Sequence, residues 1–167
     1  MNKKNKSRIR PRSPAQRERW RAERLLRGIL EGTAAQAGEA FLRALVKNLA
    51  LALEVRFAFV SEIAPAGAAH ARVLAFWKDD GYALQFEYAM HGTPCEVVAA
   101  DAEFVLTEGI RRRFPGDARL RDLGAECFFG VRLQSASGAA LGVLAIADDK
   151  PLADESTARV VMGIFAA

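Results

Sequence analysis

Apolar and polar residues alternate with a period of two along several stretches of this 167-residue chain, the spacing that sends successive side chains to opposite faces of a β-strand. Val55, Phe57 and Phe59 alternate with Arg56, Ala58 and Val60. Val73, Ala75 and Trp77 alternate with Arg72, Leu74 and Phe76, and Leu84, Phe86 and Tyr88 alternate with Ala83, Gln85 and Glu87. Further along, Ala125 to Gln134 sets Cys127, Phe129, Val131 and Leu133 on one side, and Leu141 to Ala147 repeats the habit with Leu141, Val143, Ala145 and Ala147. The opposite series of these last two stretches, Phe128, Gly130, Leu144 and Ile146, is also largely apolar, so the spacing predicts a central sheet covered on both faces.

Turn formers separate the strands. Pro65-Ala66-Gly67 divides the first two, Lys78-Asp79-Asp80-Gly81 carries the Asp-Gly signature of a hairpin, and Ser135-Ala136-Ser137-Gly138 joins the last two. About five strands result, close to the usual size of a sheet.

Helical spacing flanks this core. Phe41, Leu45 and Leu49 recur every four residues with Leu42, Val46 and Leu53 beside them, and Thr33 is placed to cap that helix. Near the end, Asp154 can cap a final helix whose Val160, Val161, Ile164 and Phe165 form an apolar face. Between His91 and Gly124 the texture changes: Gly92, Pro94, Pro115, Gly116 and Gly124 punctuate a segment too apolar for a solvated loop. Thr93-Pro94-Cys95-Glu96 reads as a helix start with Thr93 as cap, and Asp117 as the cap of a short helix leading to Leu123. Such a segment folded across a sheet is where a pocket forms.

Charge changes the picture only at the start of the chain. Residues 1–27 hold eleven Lys or Arg against Glu18 and Glu23, a balance of +9, so the remaining 140 residues sum to −5 although the whole chain is +4. Residues 1–14 read as a disordered basic tail, because Pro11, Pro14 and dense like charge leave only Ile9 to bury. Residues 15–31 read as an N-terminal helix or linker, with Ser13-Pro14 as its start signal and Trp20, Leu25, Leu26, Ile29 and Leu30 as an uneven stripe. Phosphate of nucleic acid, or anionic lipid, would suit the arginines, but no interleaved aromatic platform, helix-turn-helix pattern or zinc spacing accompanies them, and a solvated leader is the plainer reading. No signal-peptide pattern follows the basic run, and Lys47, Glu54 and Arg56 interrupt the apolar stretch from Ala40 to Val60, which argues against a membrane span.

Candidate chemistry is sparse. His70, His91, Cys95 and Cys127 form neither CxxC nor HxxxH spacing, so no metal site is expected. Cys95 stands at a helix start that could lower its thiol pKa, and a redox pair with Cys127 requires the fold to bring the two together; buried packing cysteines are the alternative. His91 could ligate haem, but a lone histidine in a polar turn more often hydrogen-bonds there. Asp148-Asp149 ends a strand more simply than it serves acid–base catalysis, and Ser137 lies in no nucleophile elbow.

Four short motifs occur in order: Gly92 to Glu96 (GTPCE), Phe114-Pro115, Leu123 to Glu126 (LGAE), and Gly138 to Leu144. Together with the strands around them they resemble GAF domains of bacterial signalling proteins, those that precede effector modules in sensor histidine kinases, diguanylate cyclases and transcriptional regulators. The resemblance covers roughly residues 33–167, and residues 32–167 are taken as the sensory domain, truncated within its last helix. It implies an α+β, GAF/PAS-like fold: a central antiparallel sheet of about five to six strands, terminal helices on one face, and a crossing loop with short helices on the other. It further implies a cytoplasmic, non-catalytic regulatory domain, dimeric through its terminal helices, that binds a small molecule or partner and signals toward a C-terminal effector of two-component or related type.

Pocket candidates, chosen along the folded-back segment and its neighbours, are Phe86, Tyr88, His91, Thr93, Cys95, Phe104, Phe114 and Cys127. The cofactor is unspecified, because the DIP-like motif of bilin-binding relatives and the NKFDE signature of cyclic-nucleotide-binding relatives are absent. A ligandless dimerisation scaffold is the alternative from another class. A GAF-type free methionine sulfoxide reductase is the enzyme alternative, weakened because that family generally uses more cysteines than the two present here.

Overall fold

A computed structural model of the chain describes residues 38–64 and 70–166. The expected basic tail, N-terminal helix, Thr33 cap and Pro65-Ala66-Gly67 turn lie outside those residues. The elements, in order, are α1 (Glu39–Leu53), β1 (Phe57–Ile63), β2 (His70–Lys78), β3 (Gly81–Tyr82), β4 (Glu87–Ala89), α2 (Pro94–Asp101), β5 (Glu103–Leu106), α3 (Ile110–Arg113), α4 (Ala118–Asp122), β6 (Cys127–Gln134), β7 (Ala140–Asp148) and α5 (Glu155–Ala166).

Where period-two stretches lie next to one another in sequence they form hairpins, and every pairing is antiparallel. The seven strands make one sheet of order β3-β2-β1-β7-β6-β5, with β4 also pairing β2. The first and last long strands meet at its centre, Phe57 opposite Ala147 through Glu62 opposite Gly142. The turn between β2 and β3 is formed by Asp79 and Asp80, since Lys78 pairs with Gly81; Asp79 takes the left-handed conformation at φ 58°.

Each face of the sheet buries its own core. On one side Leu45, Val46, Leu49 and Ala50 of α1 and Ala158, Val161 and Met162 of α5 pack on Ala58, Val60, Trp77, Phe129, Leu144 and Ile146. On the other, Val98 of α2, Ile110 of α3 and Leu120 of α4 cover Phe57, Val73, Phe76, Phe128 and Ala145. Each fully buried side chain of this size contributes about 1.5–3 kcal/mol relative to exposure. The expected division, terminal helices beneath and the crossing segment above, is present. Close approach of α2 depends on Gly130: a Cβ there would stand 2.7 Å from Val98 Cγ2 and 2.9 Å from Phe128 Cε1.

Four local expectations are corrected. The stretch Ala83 to Tyr88 is not one strand: after Tyr82 the ladder breaks and resumes only at Glu87. Here β2 carries a bulge at Leu74, where Val60 pairs with Ala75 but Ser61 with Val73, and the Gln85 side-chain amide donates to the Leu74 carbonyl at 2.7 Å in place of a ladder bond. The bulge shifts the phase of the strand, so Val73 faces the crossing segment while Ala75 and Trp77 face the terminal helices. Glu103–Leu106, read as part of the crossing segment, is an edge strand on β6. On α5, Val160 and Ile164 are exposed, and the buried side is Ala158, Val161 and Met162 with Phe165 half-buried.

Candidate functional site

The crossing segment leaves a cavity of about 170 Å³ against the sheet. Its floor is made by Phe57 and Phe59 of β1, Val73 and Phe76 of β2, Phe128 of β6 and Ala147 of β7, all sent to this face by strand alternation and the Leu74 bulge. Phe86 and Tyr88 form a side wall. The roof comes from Thr93, Pro94 and Cys95 at the start of α2 and from Asp117 to Leu123 around α4. Edge-to-face contacts hold the rings: Phe59 on Phe76 with centroids 6.0 Å apart, and Phe76 on Phe86 at 6.4 Å.

Polar groups within this shell bond to one another. Tyr88 Oη and Ser61 Oγ lie 3.1 Å apart, both buried. Burial pushes the Tyr88 phenol well above its usual pKa, and burial likewise raises the Cys95 thiol, to about 11, against a smaller opposing effect of its hydrogen bond with Tyr88. Both groups are therefore neutral at physiological pH. The helix-start effect proposed for Cys95 does not prevail, because desolvation of a fully buried thiolate outweighs it. Thr93 stands at the cap position of α2, but its hydroxyl donates to the Met90 carbonyl at 2.6 Å instead of capping. Glu96 serves that end, accepting from the Gly92 amide at 2.9 Å, and this bond, followed by the one with His91, holds its carboxyl below the usual range.

At the rim, Asp117 caps α4 by accepting from the Arg119 amide at 3.0 Å, as its position implied. Arg119 turns back: its Nε lies 3.4 Å from Asp117 Oδ1 and its Cζ 4.5 Å from the centre of the Tyr88 ring.

Of the eight candidate residues, the structure gathers Phe86, Tyr88, Thr93 and Cys95 around the cavity. The other four stand apart from its lining. His91 has a 93 % exposed side chain and bonds to Glu96 at 3.2 Å. Phe104 and Phe114 spend their rings on each other, 5.7 Å apart at 90°, within the packing around α3. Cys127 shares the parity of Phe129 and so faces the terminal helices, opposite Asp148, with the sheet between it and Cys95. Both cysteines are free and buried, and burial also raises Cys127 to about 11. The sequence reading missed Phe57, Phe59, Phe76 and Phe128, whose alternation signalled only a core, and Arg119 and Asp122, charges inside an otherwise apolar crossing segment.

The LGAE motif finds its role beside this site. Glu126 accepts from the Gly109 amide at 2.8 Å and from Arg111 at 3.2 Å, tying α3 to the start of β6, and the Arg111 hydrogen bond is the main reason its carboxyl is held low. The chain thus combines a covered antiparallel sheet, terminal helices on one side and a roofed cavity on the other. No family model and no curated protein matches the sequence. Solved structures do. A putative GAF sensor protein from Burkholderia vietnamiensis is similar over 89% of this chain and 93% of its own, at 15% identity and a TM-score of 0.68. The GAF domain of an Acinetobacter phosphoenolpyruvate-protein phosphotransferase is similar over 87% and 88%, at 14% identity and 0.67.

The fold is that of a GAF domain. A free methionine-R-sulfoxide reductase from Neisseria meningitidis, solved with its substrate, is also similar, over 94% of this chain and 88% of its own, at 15% identity and a TM-score of 0.66. The GAF fold thus places the cavity on the face away from the terminal helices. Among the described residues no group of three or more metal-ligating side chains converges, and no helix is long and apolar enough to cross a membrane.

Proposed function

We propose that this GAF domain is a cytoplasmic sensory module that binds a small molecule in the cavity beneath α2 and α4 and passes the event to its terminal helices in a homodimer. The cavity is the observation that carries the reading. A space of about 170 Å³ with an aromatic floor and a charged rim is a concave, mostly apolar site with a few polar groups at its edge. A one-layer sheet joins it to the helices: Phe57 and Phe76 face the cavity while their neighbours Ala58 and Trp77 face α1 and α5. Exposed Leu51 on α1, with Val160 and Ile164 on α5, supports dimerisation through these helices. Two free cysteines are in keeping with a reducing compartment.

A ligand that prefers one packing of the terminal helices shifts their equilibrium by its difference in affinity. Thermal stabilisation across a metabolite panel, with native mass spectrometry for stoichiometry and dimer state, tests this. One-to-one binding to the wild type that is lost in Ala147→Leu, where the new side chain occupies the cavity, supports the sensor. A panel without binders and a stable dimer would leave a scaffold instead.

The reductase reading draws on the structural likeness to the Neisseria enzyme. A neutral, desolvated Cys95 with Cys127 across the sheet disfavours it. Turnover of free methionine sulfoxide that disappears in Cys95→Ser would reinstate it.

A further inference from the structure

The interior of the cavity and its rim ask for different chemistry. Inside, the hydroxyl of Thr93 is spent on Met90, the Tyr88 phenol lies against Ser61, and Cys95 is a neutral thiol. The buried body of an occupant therefore meets mainly the rings of Phe57, Phe76, Phe86 and Phe128 and is itself apolar. The volume of about 170 Å³ is close to the roughly 150 Å³ that accommodates benzene, so that body is one ring or a branched aliphatic chain.

At the rim, Arg119 and Asp122 stand three positions apart on α4, which places them on the same side of its turn, and both border the cavity. Arg119 engages Asp117 through Nε and lies over Tyr88, leaving its terminal nitrogens without a bonded partner among the described residues. Asp122 is exposed and has no hydrogen bond or ion pair among those residues, with Arg119 or any other. Asp117 is already occupied by Arg119 and its own helix end. The mouth thus offers one guanidinium with unbonded terminal nitrogens and one free carboxylate on the same side of α4. A simple anion would meet Asp122, a simple cation would meet Arg119, and a neutral ring would use neither; a zwitterion satisfies both.

We propose that the cavity takes a free α-amino acid with an apolar side chain of up to one ring: its carboxylate on Arg119, its ammonium on Asp122, and its side chain among the phenylalanines. This rests on the reading of the cavity as a small-ligand site.

The test is calorimetric titration of the full chain at low salt with L-phenylalanine and L-leucine, and with 3-phenylpropionate, phenethylamine and 2-phenylethanol, which lack one charge or both. The amino acids should bind tightest, with each missing charge weakening binding about tenfold or more, the size of one charge-assisted hydrogen bond. Arg119→Gln should abolish the preference for phenylalanine over phenethylamine, and Asp122→Asn the preference over 3-phenylpropionate. If 2-phenylethanol binds as tightly as phenylalanine and neither variant matters, the amino-acid assignment is overturned while the cavity remains a ligand site. If none of the five binds although a member of the metabolite panel does, the assignment likewise fails alone; if nothing binds at all, the sensor reading fails with it.

Discussion

Gly142 of β7 passes so close to Ser61 of β1 that a Cβ at residue 142 would lie 2.1 Å from the Ser61 carbonyl oxygen. The clash is with backbone at the centre of the sheet, where neither strand can yield without breaking the ladder around Val143. Gly142→Ala should therefore destabilise the fold by about 1–3 kcal/mol, the usual cost of overpacking. A urea midpoint equal to that of the wild type would contradict it.

Cys95 and Cys127 give stability a pH dependence of known sign. Their native pKa values are raised from 9.0 to about 11, so the contribution is fully present below pH 9 and is lost as pH rises toward 11, where the unfolded chain ionises first. The slope is at most about 1.4 kcal/mol per pH unit for each thiol. Urea midpoints of the wild type should fall between pH 9 and 10.5, and more steeply than those of Cys95→Ser over the same interval. Identical slopes would show that Cys95 is not a desolvated thiol.

Thr93→Val keeps the shape of the α2 start and removes the donor to Met90. The Met90 carbonyl keeps the Thr93 backbone amide at 3.1 Å but loses the hydroxyl at 2.6 Å, which should cost about 0.5–1.5 kcal/mol. Thermal melting reports the loss, and an unchanged midpoint would mean that water replaces the hydroxyl.

Glu126→Gln removes the charge that draws Arg111 and weakens acceptance from the Gly109 amide. Hydrogen exchange should speed up at Gly109 and through α3, while amides of β1 and β7 stay protected. In the wild type the same loosening should appear on acidification, because a carboxyl held below its usual 4.5 favours the fold above that pH and loses its contribution as pH falls through the lower native value. Equal exchange in wild type and variant would remove Glu126 as the tie.

Much of the layering was legible because alternation and capping are local. The strands β1, β6 and β7, the Asp117 cap and the Asp154 cap, which accepts from the Thr157 amide at 3.0 Å, all follow from neighbouring residues. What escaped depends on partners far along the chain. The Glu103–Leu106 run is a strand only because β6 offers it an edge, and four apolar-rich residues carry no period of their own. The phase of β2 is reset by one extra residue, Leu74, that no pattern in the sequence marks. On α5 the burial of Met162 in place of Val160 is set by where β6 and β7 present their side chains.

The site was legible only in part for the same reason. Tyr88, Thr93 and Cys95 sit in or beside a recognisable motif, whereas the aromatic floor is indistinguishable from core until one knows that a void lies above it. Cys127 was misplaced because alternation ties it to Phe129, and nothing local says which side of the sheet that is.

The interruption between β3 and β4 has a mechanical consequence. Floor and roof of the chamber are braced by long ladders and by helices, but the panel bearing Phe86 and Tyr88 is slung from β2 by few hydrogen bonds, the Val73 amide to the Phe86 carbonyl and the Gln85 side-chain amide to the Leu74 carbonyl among them, and Leu84 at its crest is 88 % exposed. Compliance is therefore concentrated in a single wall, and the volume of the chamber is set by how far that wall leans.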